Sequence, residues 1–173
     1  MSREESTLEF SQLYENTFRL IYTVAYRITG KVESAEELTQ EAFIKLYERF
    51  SQFEDANQAK YWLIRVVKNL AFNHEKRKGT EIRAYTKFLN NSRESEDSSE
   101  NLLLRKEASE AVRVTLNRLP EKLRAPLVLK EYGELSYKEI AEILGISEGN
   151  VKVRVFRARE VLSNLMREDN HVS

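Results

Sequence analysis

Ser136-Tyr137-Lys138-Glu139-Ile140-Ala141-Glu142-Ile143-Leu144-Gly145-Ile146-Ser147-Glu148-Gly149-Asn150-Val151 decides how this chain folds and what it touches. Ser136 with Glu139 three residues later reads as a capping box opening a short helix, and Gly145 suits its left-handed stop. Ser147 can then cap a second, longer helix running to about Met166. Short helix, glycine turn and longer helix make a helix-turn-helix. Ile140, Leu144, Ile146 and Val151 supply its shared core, and Ala141 is small where the two helices cross. On the second helix Val151, Val155, Ala158, Leu162 and Leu165 form an apolar stripe at steps of four and three. Asn150, Lys152, Arg154, Arg157 and Arg159 lie off it. A helix of this kind enters the major groove, where Arg makes bidentate contacts to guanine and Lys or Arg holds phosphates. Asn150, Arg154 and Arg157 follow one another near the N-terminal half, where base contacts are usual. Lys152 and Arg159 suit phosphates, and Ser136 at the mouth of the first helix joins this set.

Upstream the pattern is helical almost throughout, so the expected class is all-α. Leu13, Tyr14, Phe18, Ile21, Tyr22, Ala25 and Ile28 recur at three- and four-residue steps, and Gly30 is a stop. Ser34 with Glu37 reads as a capping box for a second helix carrying Ala35, Leu38, Ala42, Leu46 and Phe50. A polar stretch, Ser51 to Gln58, precedes a third helix expected to end at Gly79. Three such helices close a small bundle. Asn90 to Ser99 has no apolar periodicity and is rich in Ser and acid, which makes it the best linker candidate. Leu102, Leu103, Ala108, Val112, Leu116 and Leu119 resume the helical pattern. Pro120 suits a helix start, Pro126 is expected to kink or interrupt the helix that follows, and Gly133 to end it. The expected division is 1–79, a linker at 80–110, and 111–173.

Charge separates these segments. The 173 residues hold 28 Lys plus Arg and 28 Asp plus Glu, and a neutral total argues against a nucleic-acid partner. The neutrality is a cancellation, because residues 60–79 carry a net +5, residues 150–159 carry +4, and residues 31–59 carry −4. The absence of Cys removes disulfides and thiolate chemistry. His74 and His171 are the only imidazoles, too few for a zinc enzyme, so no cofactor or metal is expected. No apolar run is long enough to span a bilayer and Met1 to Phe10 is polar rather than signal-like, so no membrane insertion and a cytoplasmic location are expected.

The first basic segment has a composition of its own. With Leu63, Val66, Val67 and Leu70 facing inward, the opposite face reads Arg65, Asn69, Phe72 and Lys76, with Trp62 and Asn73 at its edges. Rings among amides and cations suit unstacked bases; Trp62 and Phe72 could equally pack on a neighbouring helix. On the acidic helix Glu37, Gln40, Glu41 and Ile44 lie off the buried stripe. That surface would repel DNA but could dock on a basic protein helix.

Together these stretches resemble the extracytoplasmic-function group of the sigma-70 family, the two-domain initiation subunits of bacterial RNA polymerase. Ser34 through Tyr47 is similar to the family's core-binding helix, and Tyr61 through Ala71 to the helix engaging the minus-ten element. Leu119-Pro120, Arg124, Leu135 through Glu142 and Gly149 through Arg159 look like its minus-thirty-five-binding domain. The resemblance implies that Glu37, Gln40, Glu41 and Ile44 grip the clamp helices of the polymerase's largest subunit. It implies that Phe53 to Lys60 forms a loop receiving a flipped base, with Asn57 and Gln58 the contacts there and Trp62, Arg65, Asn69, Asn73 and Lys76 nearby. The implied partners are core RNA polymerase, promoter DNA and an anti-sigma factor, with no small-molecule substrate and no catalysis of its own. Asn150 stands where the family usually has Thr and Val153 where Ser is common, so promoter sequence does not carry over. A stand-alone helix-turn-helix regulator of duplex DNA is the alternative, and it leaves the acidic helix and the Trp62–Lys76 face idle. An enzyme has little support, since there is no P-loop and no nucleophile–base pair.

Overall fold

A computed structural model describes residues 2–86 and 110–171 of the chain. Every regular element among them is helical. The first is α1 (Arg3–Thr29), opened by a capping box between Ser2 and Glu5 and ended by Gly30 at φ +70°. Its inward face is Leu13, Thr17, Ile21, Val24, Ala25 and Ile28. Tyr14 and Phe18, expected on that stripe, sit at its edge, and the Tyr14 ring packs 4.6 Å from Phe43.

One residue, Lys31, separates Gly30 from α2 (Val32–Arg49). The expected capping box at Ser34 is not there. Ala35 donates to the Lys31 carbonyl, so α2 starts before Ser34, which is buried within the helix. Its hydroxyl instead meets His74 Nε2 at 3.2 Å and accepts from Lys78 Nζ at 3.4 Å. A 3-10 turn, Phe50–Gln52, leads to α3 (Ala56–Thr86). Gly79 does not end α3, which continues through it for seven residues. A glycine inside a helix costs only about 1 kcal/mol against alanine, so it stops a helix when it takes the left-handed form, as Gly30 does. The three helices enclose Ile21, Val24, Ile28, Ala35, Leu46, Leu63, Ile64 and Val67, all at most 1 % exposed.

The second group begins with the described part of α4, residues 110–117, followed by α5 (Glu121–Glu131), α6 (Tyr137–Leu144) and α7 (Glu148–His171). Pro120 is the N-cap of α5. Pro126 does not interrupt that helix: one backbone hydrogen bond is forgone, while its ring is buried among Ala125, Leu127, Val128 and Leu129. Ser136 and Glu139 form the expected capping box, Gly145 closes α6 at φ +67°, and Asn150 N–H donates to Ser147 Oγ at 3.1 Å. Ile140, Ile143, Val151, Val155 and Ala158 are buried where α6 and α7 cross. The candidate linker at Asn90–Ser99 lies outside the described residues. The two groups touch: α3 packs against α6, and α1 against α5.

Candidate nucleic-acid interface

The second helix of the helix-turn-helix, α7, buries Val151, Val155 and Ala158, which turns its other side to solvent. Asn150, Lys152, Arg157 and Arg159 are exposed and Arg154 is half-buried. Arg154 Nε donates to Asn150 Oδ1 at 3.3 Å, so the amide orients the guanidinium beside it. Lys152 pairs with Glu148 at 3.6 Å, one turn earlier. Arg159 is held by Glu131 of α5, with Nε 2.9 Å from the carboxylate, and that contact raises its already high pKa. Ser136 Oγ accepts from Glu139 N–H at 3.1 Å, so its first duty is to cap α6. The face directly opposite the buried stripe also holds Val153 at 45 % and Phe156 at 67 % exposure. These two were absent from the sequence-derived set. Their signal was present in the heptad geometry, since positions 149, 153 and 156 lie opposite 151, 155 and 158. Exposed apolar side chains on a reading helix match thymine methyl groups.

The α3 interface is built differently. The expected loop from Phe53 to Lys60 is mostly helix, because α3 starts at Ala56. Asp55 caps it, accepting from Gln58 N–H at 2.8 Å, while Gln58 Oε1 accepts from Glu54 N–H at 2.7 Å. Asn57 and Gln58 therefore stand exposed on the first turn, and the cap bonds hold Gln58 in place. Gln58 borders a cavity of about 480 Å³ lined also by Arg49, Phe53, Tyr61, Trp62, Arg65 and Glu142. The Trp62 ring lies 5.4 Å from Phe53 at a tilt of 54°. Rings, an amide and guanidinium groups around an open cavity have the chemistry of a site for an unstacked base.

Farther along α3, Asn69, Asn73 and Lys76 are exposed, but Phe72 is not. It is 1 % exposed, with the Arg124 guanidinium 4.5 Å above its ring. The expected open face is thus broken by a buried ring, the packed alternative for Phe72. Arg65 reaches across to α6, its Nε 2.8 Å from the Ile143 carbonyl and its Nη2 3.3 Å from that of Glu142. Lys76 pairs with Glu121 at 3.1 Å. Lys68, half-buried beside them, has its pKa lowered by burial and by Arg65, against the opposing pull of Glu121.

On α2 the candidate docking residues form one exposed strip, Glu37, Gln40, Glu41 and Ile44. Ile44 is 59 % exposed and Tyr47, one turn on, 62 %. Tyr47 extends the strip and was not in the sequence-derived set. None of the described helices is long and apolar enough to cross a membrane.

Comparison with known proteins identifies the two helical groups as regions of one family. The family model described as Sigma-70 region 2 matches residues 13–81, and that described as Sigma-70, region 4 matches residues 109–162. The chain is 34% identical over 160 residues to the ECF RNA polymerase sigma factor SigW of Bacillus subtilis, covering 86% of this chain and 83% of that one. It is 33% identical over 148 residues to the RNA polymerase sigma-H factor of Pseudomonas aeruginosa, covering 81% and 77%. In fold it is similar to CnrH in complex with the cytosolic domain of CnrY, at a TM-score of 0.68 and 22% identity over 92% of this chain and 88% of that one. It is also similar to the sigma factor RpoE in complex with the anti-sigma factor NepR from Bartonella quintana, at 0.66 and 24% over 91% and 96%.

Proposed function

The chain belongs to the sigma-70 family, in its extracytoplasmic-function group, and from that premise we propose how its surfaces divide the work of a promoter-recognition subunit. The observation that carries the reading is the coexistence, in one chain, of two basic helices with different chemistry and an acidic, partly apolar strip on a third. Residues 1–79 are assigned to core polymerase and the minus-ten element, 80–110 to a linker, and 111–173 to the minus-thirty-five element.

Glu37, Gln40, Glu41 and Ile44, with Tyr47 beside them, dock on a basic surface of the polymerase. Opposed charge guides the encounter, and the apolar Ile44 and Tyr47 contribute burial. Asn150, Arg154 and Arg157 read base edges, Val153 and Phe156 meet thymine methyls, and Lys152, Arg159 and Ser136 lie toward the backbone. Arg159 would exchange Glu131 for a phosphate. The cavity at Gln58, Trp62 and Arg65 receives an unstacked base, with Asn57, Asn69, Asn73 and Lys76 along the strand. Unstacking costs a few kcal/mol per step, and capture of the extruded base offsets part of it.

The chain does no bond chemistry in this reading; nucleotide addition belongs to the polymerase, and the work is done in the cytoplasm. An anti-sigma factor, the kind of partner bound to RpoE of Bartonella quintana, would cover the docking and DNA faces. The test is reconstitution. The protein should co-elute with core RNA polymerase and direct runoff transcription from promoters identified by the transcripts of cells overproducing it. Tight duplex binding with no association with core would support a stand-alone regulator instead.

A further inference from the structure

One cluster of cations serves none of the surfaces described above. Ser34, buried on the first turn of α2, is met from α3 by two side chains one turn apart, His74 with Nε2 at 3.2 Å and Lys78 with Nζ at 3.4 Å. The Lys78 ammonium also stands within hydrogen-bonding reach of the Lys31 ammonium. Burial, followed by this like charge, lowers the Lys78 pKa, against the opposing pull of Glu75 and Glu33. The Lys31 backbone is fixed, its N–H donating to Thr29 Oγ1 at 3.5 Å and its carbonyl accepting from Ala35. Only its exposed side chain is free to turn. Among the described residues no carboxylate forms an ion pair with Lys31, His74 or Lys78. Glu110, which feels the Lys31 charge, is held by Arg113.

We infer that Lys31, Ser34, His74 and Lys78 form a binding site for a phosphate group, free or carried by a small molecule, at the corner where α1 hands over to α2 beside α3. An ammonium has three donors and no acceptor, so the donors gathered here outnumber the one oxygen, that of Ser34, which they share. Two ammoniums, a hydroxyl and an imidazole converging from two helices and a junction call for an anion with several oxygens. Two positive charges match a doubly charged one. A carboxylate is planar, singly charged and has two oxygens, and would leave donors unused. The cluster is also apart from the proposed strand-binding face. At about 100° per residue, positions 74 and 78 lie about 140° and 180° around α3 from Asn69. A phosphate group held here would replace repulsion between Lys31 and Lys78 with charge-assisted hydrogen bonds to both. It would tie the later turns of α3 to the start of α2, one turn ahead of Glu37. The site rests on these side chains and not on the proposed function.

The test uses the full-length protein alone. Its two imidazoles, His74 and His171, give separate ring resonances, and His171 at the exposed end of α7 serves as the internal control. Inorganic phosphate titrated at constant pH and ionic strength should shift the His74 ring signals saturably, leave those of His171 in place and raise the thermal midpoint. Lys31→Gln changes an exposed side chain and should weaken the phosphate titration by about tenfold or more, with the backbone amide spectrum showing an intact fold. Lys31→Arg should retain binding. Dimethyl phosphate, singly charged with two free oxygens, should bind at least about tenfold more weakly than phosphate. Glycerol 3-phosphate separates the two sources. Binding as tight as that of phosphate identifies a phosphorylated small molecule as the ligand class, and its exclusion identifies the free ion; both support the site. An equal response to potassium chloride, equal shifts at both histidines, or an unchanged phosphate titration in Lys31→Gln would overturn it. Dimethyl phosphate bound as tightly as phosphate would overturn it too, and make the cluster a contact for a nucleic-acid backbone.

Discussion

α3 and α7 are both basic helices on apolar backs, yet one is partly covered and the other open. On α7 the outward residues project from a regular helix whose N-terminal turn is capped by Ser147. That arrangement suits a partner that is itself regular, such as the groove of a duplex. On α3 the polar side chains surround a cavity next to a capped helix start, and rings stand among them. That suits a base removed from its stack. The difference teaches that net charge marks where DNA goes, while the shape around the charge marks which form of DNA.

The harshest challenge to the comparison removes the third surface that both depend on. Glu37→Lys with Glu41→Lys should abolish co-elution with core polymerase while the circular dichroism spectrum is unchanged, because both side chains are exposed. Normal co-elution would release α2 from that role. Next, Trp62→Ala should lower transcription from a duplex promoter by about fivefold to 150-fold, taking base stacking at about 1–3 kcal/mol. A template already unpaired around the minus-ten element should recover much of the loss. If α3 acts only as a duplex reader, the unpaired template will not help.

Changes on α7 should be smaller and indifferent to melting. Arg154→Ala and Arg157→Ala should each weaken recognition of the minus-thirty-five element by about 1–3 kcal/mol, measured as promoter competition on paired and unpaired templates alike. An effect on every sequence equally would make them phosphate contacts. Smallest is the cap: Ser136→Ala removes the 3.1 Å bond from Glu139 N–H and should cost about 0.5–2 kcal/mol of stability. Chemical denaturation should register it in the α5–α7 group, and an unchanged midpoint would mean that the cap bond contributes nothing net.

What could be read before the fold was known follows the range of the interactions. The caps at Ser136 and Ser147 and the stop at Gly145 are local, satisfied within a few residues, and were legible. Ser34 carries the same local pattern as Ser136, yet it does not cap, because Gly30 and Lys31 begin α2 three residues earlier and His74 and Lys78 claim its hydroxyl. Gly79 has the composition of a stop without the left-handed geometry of one. At the candidate site, the exposure of Glu37, Glu41, Arg157 and Asn69 followed from helical periodicity. The burial of Phe72 did not, since its cover, Arg124, lies on another helix and far along the chain. Phe156 lay off the apolar stripe by its angular position, but a candidate set chosen for polar and charged groups passed over an apolar ring.

The continuity of α3 past Gly79 has a mechanical consequence. Its 31 residues form a rod about 46 Å long at 1.5 Å per residue. One end is pinned by Asp55 beside the cavity at Trp62, and the other is at Thr86. A helix transmits torque and thrust where a hinge at Gly79 would absorb them. The turn that carries Gln58 and Trp62 and the end at Thr86 are thereby parts of one body, and a displacement of either is felt at the other.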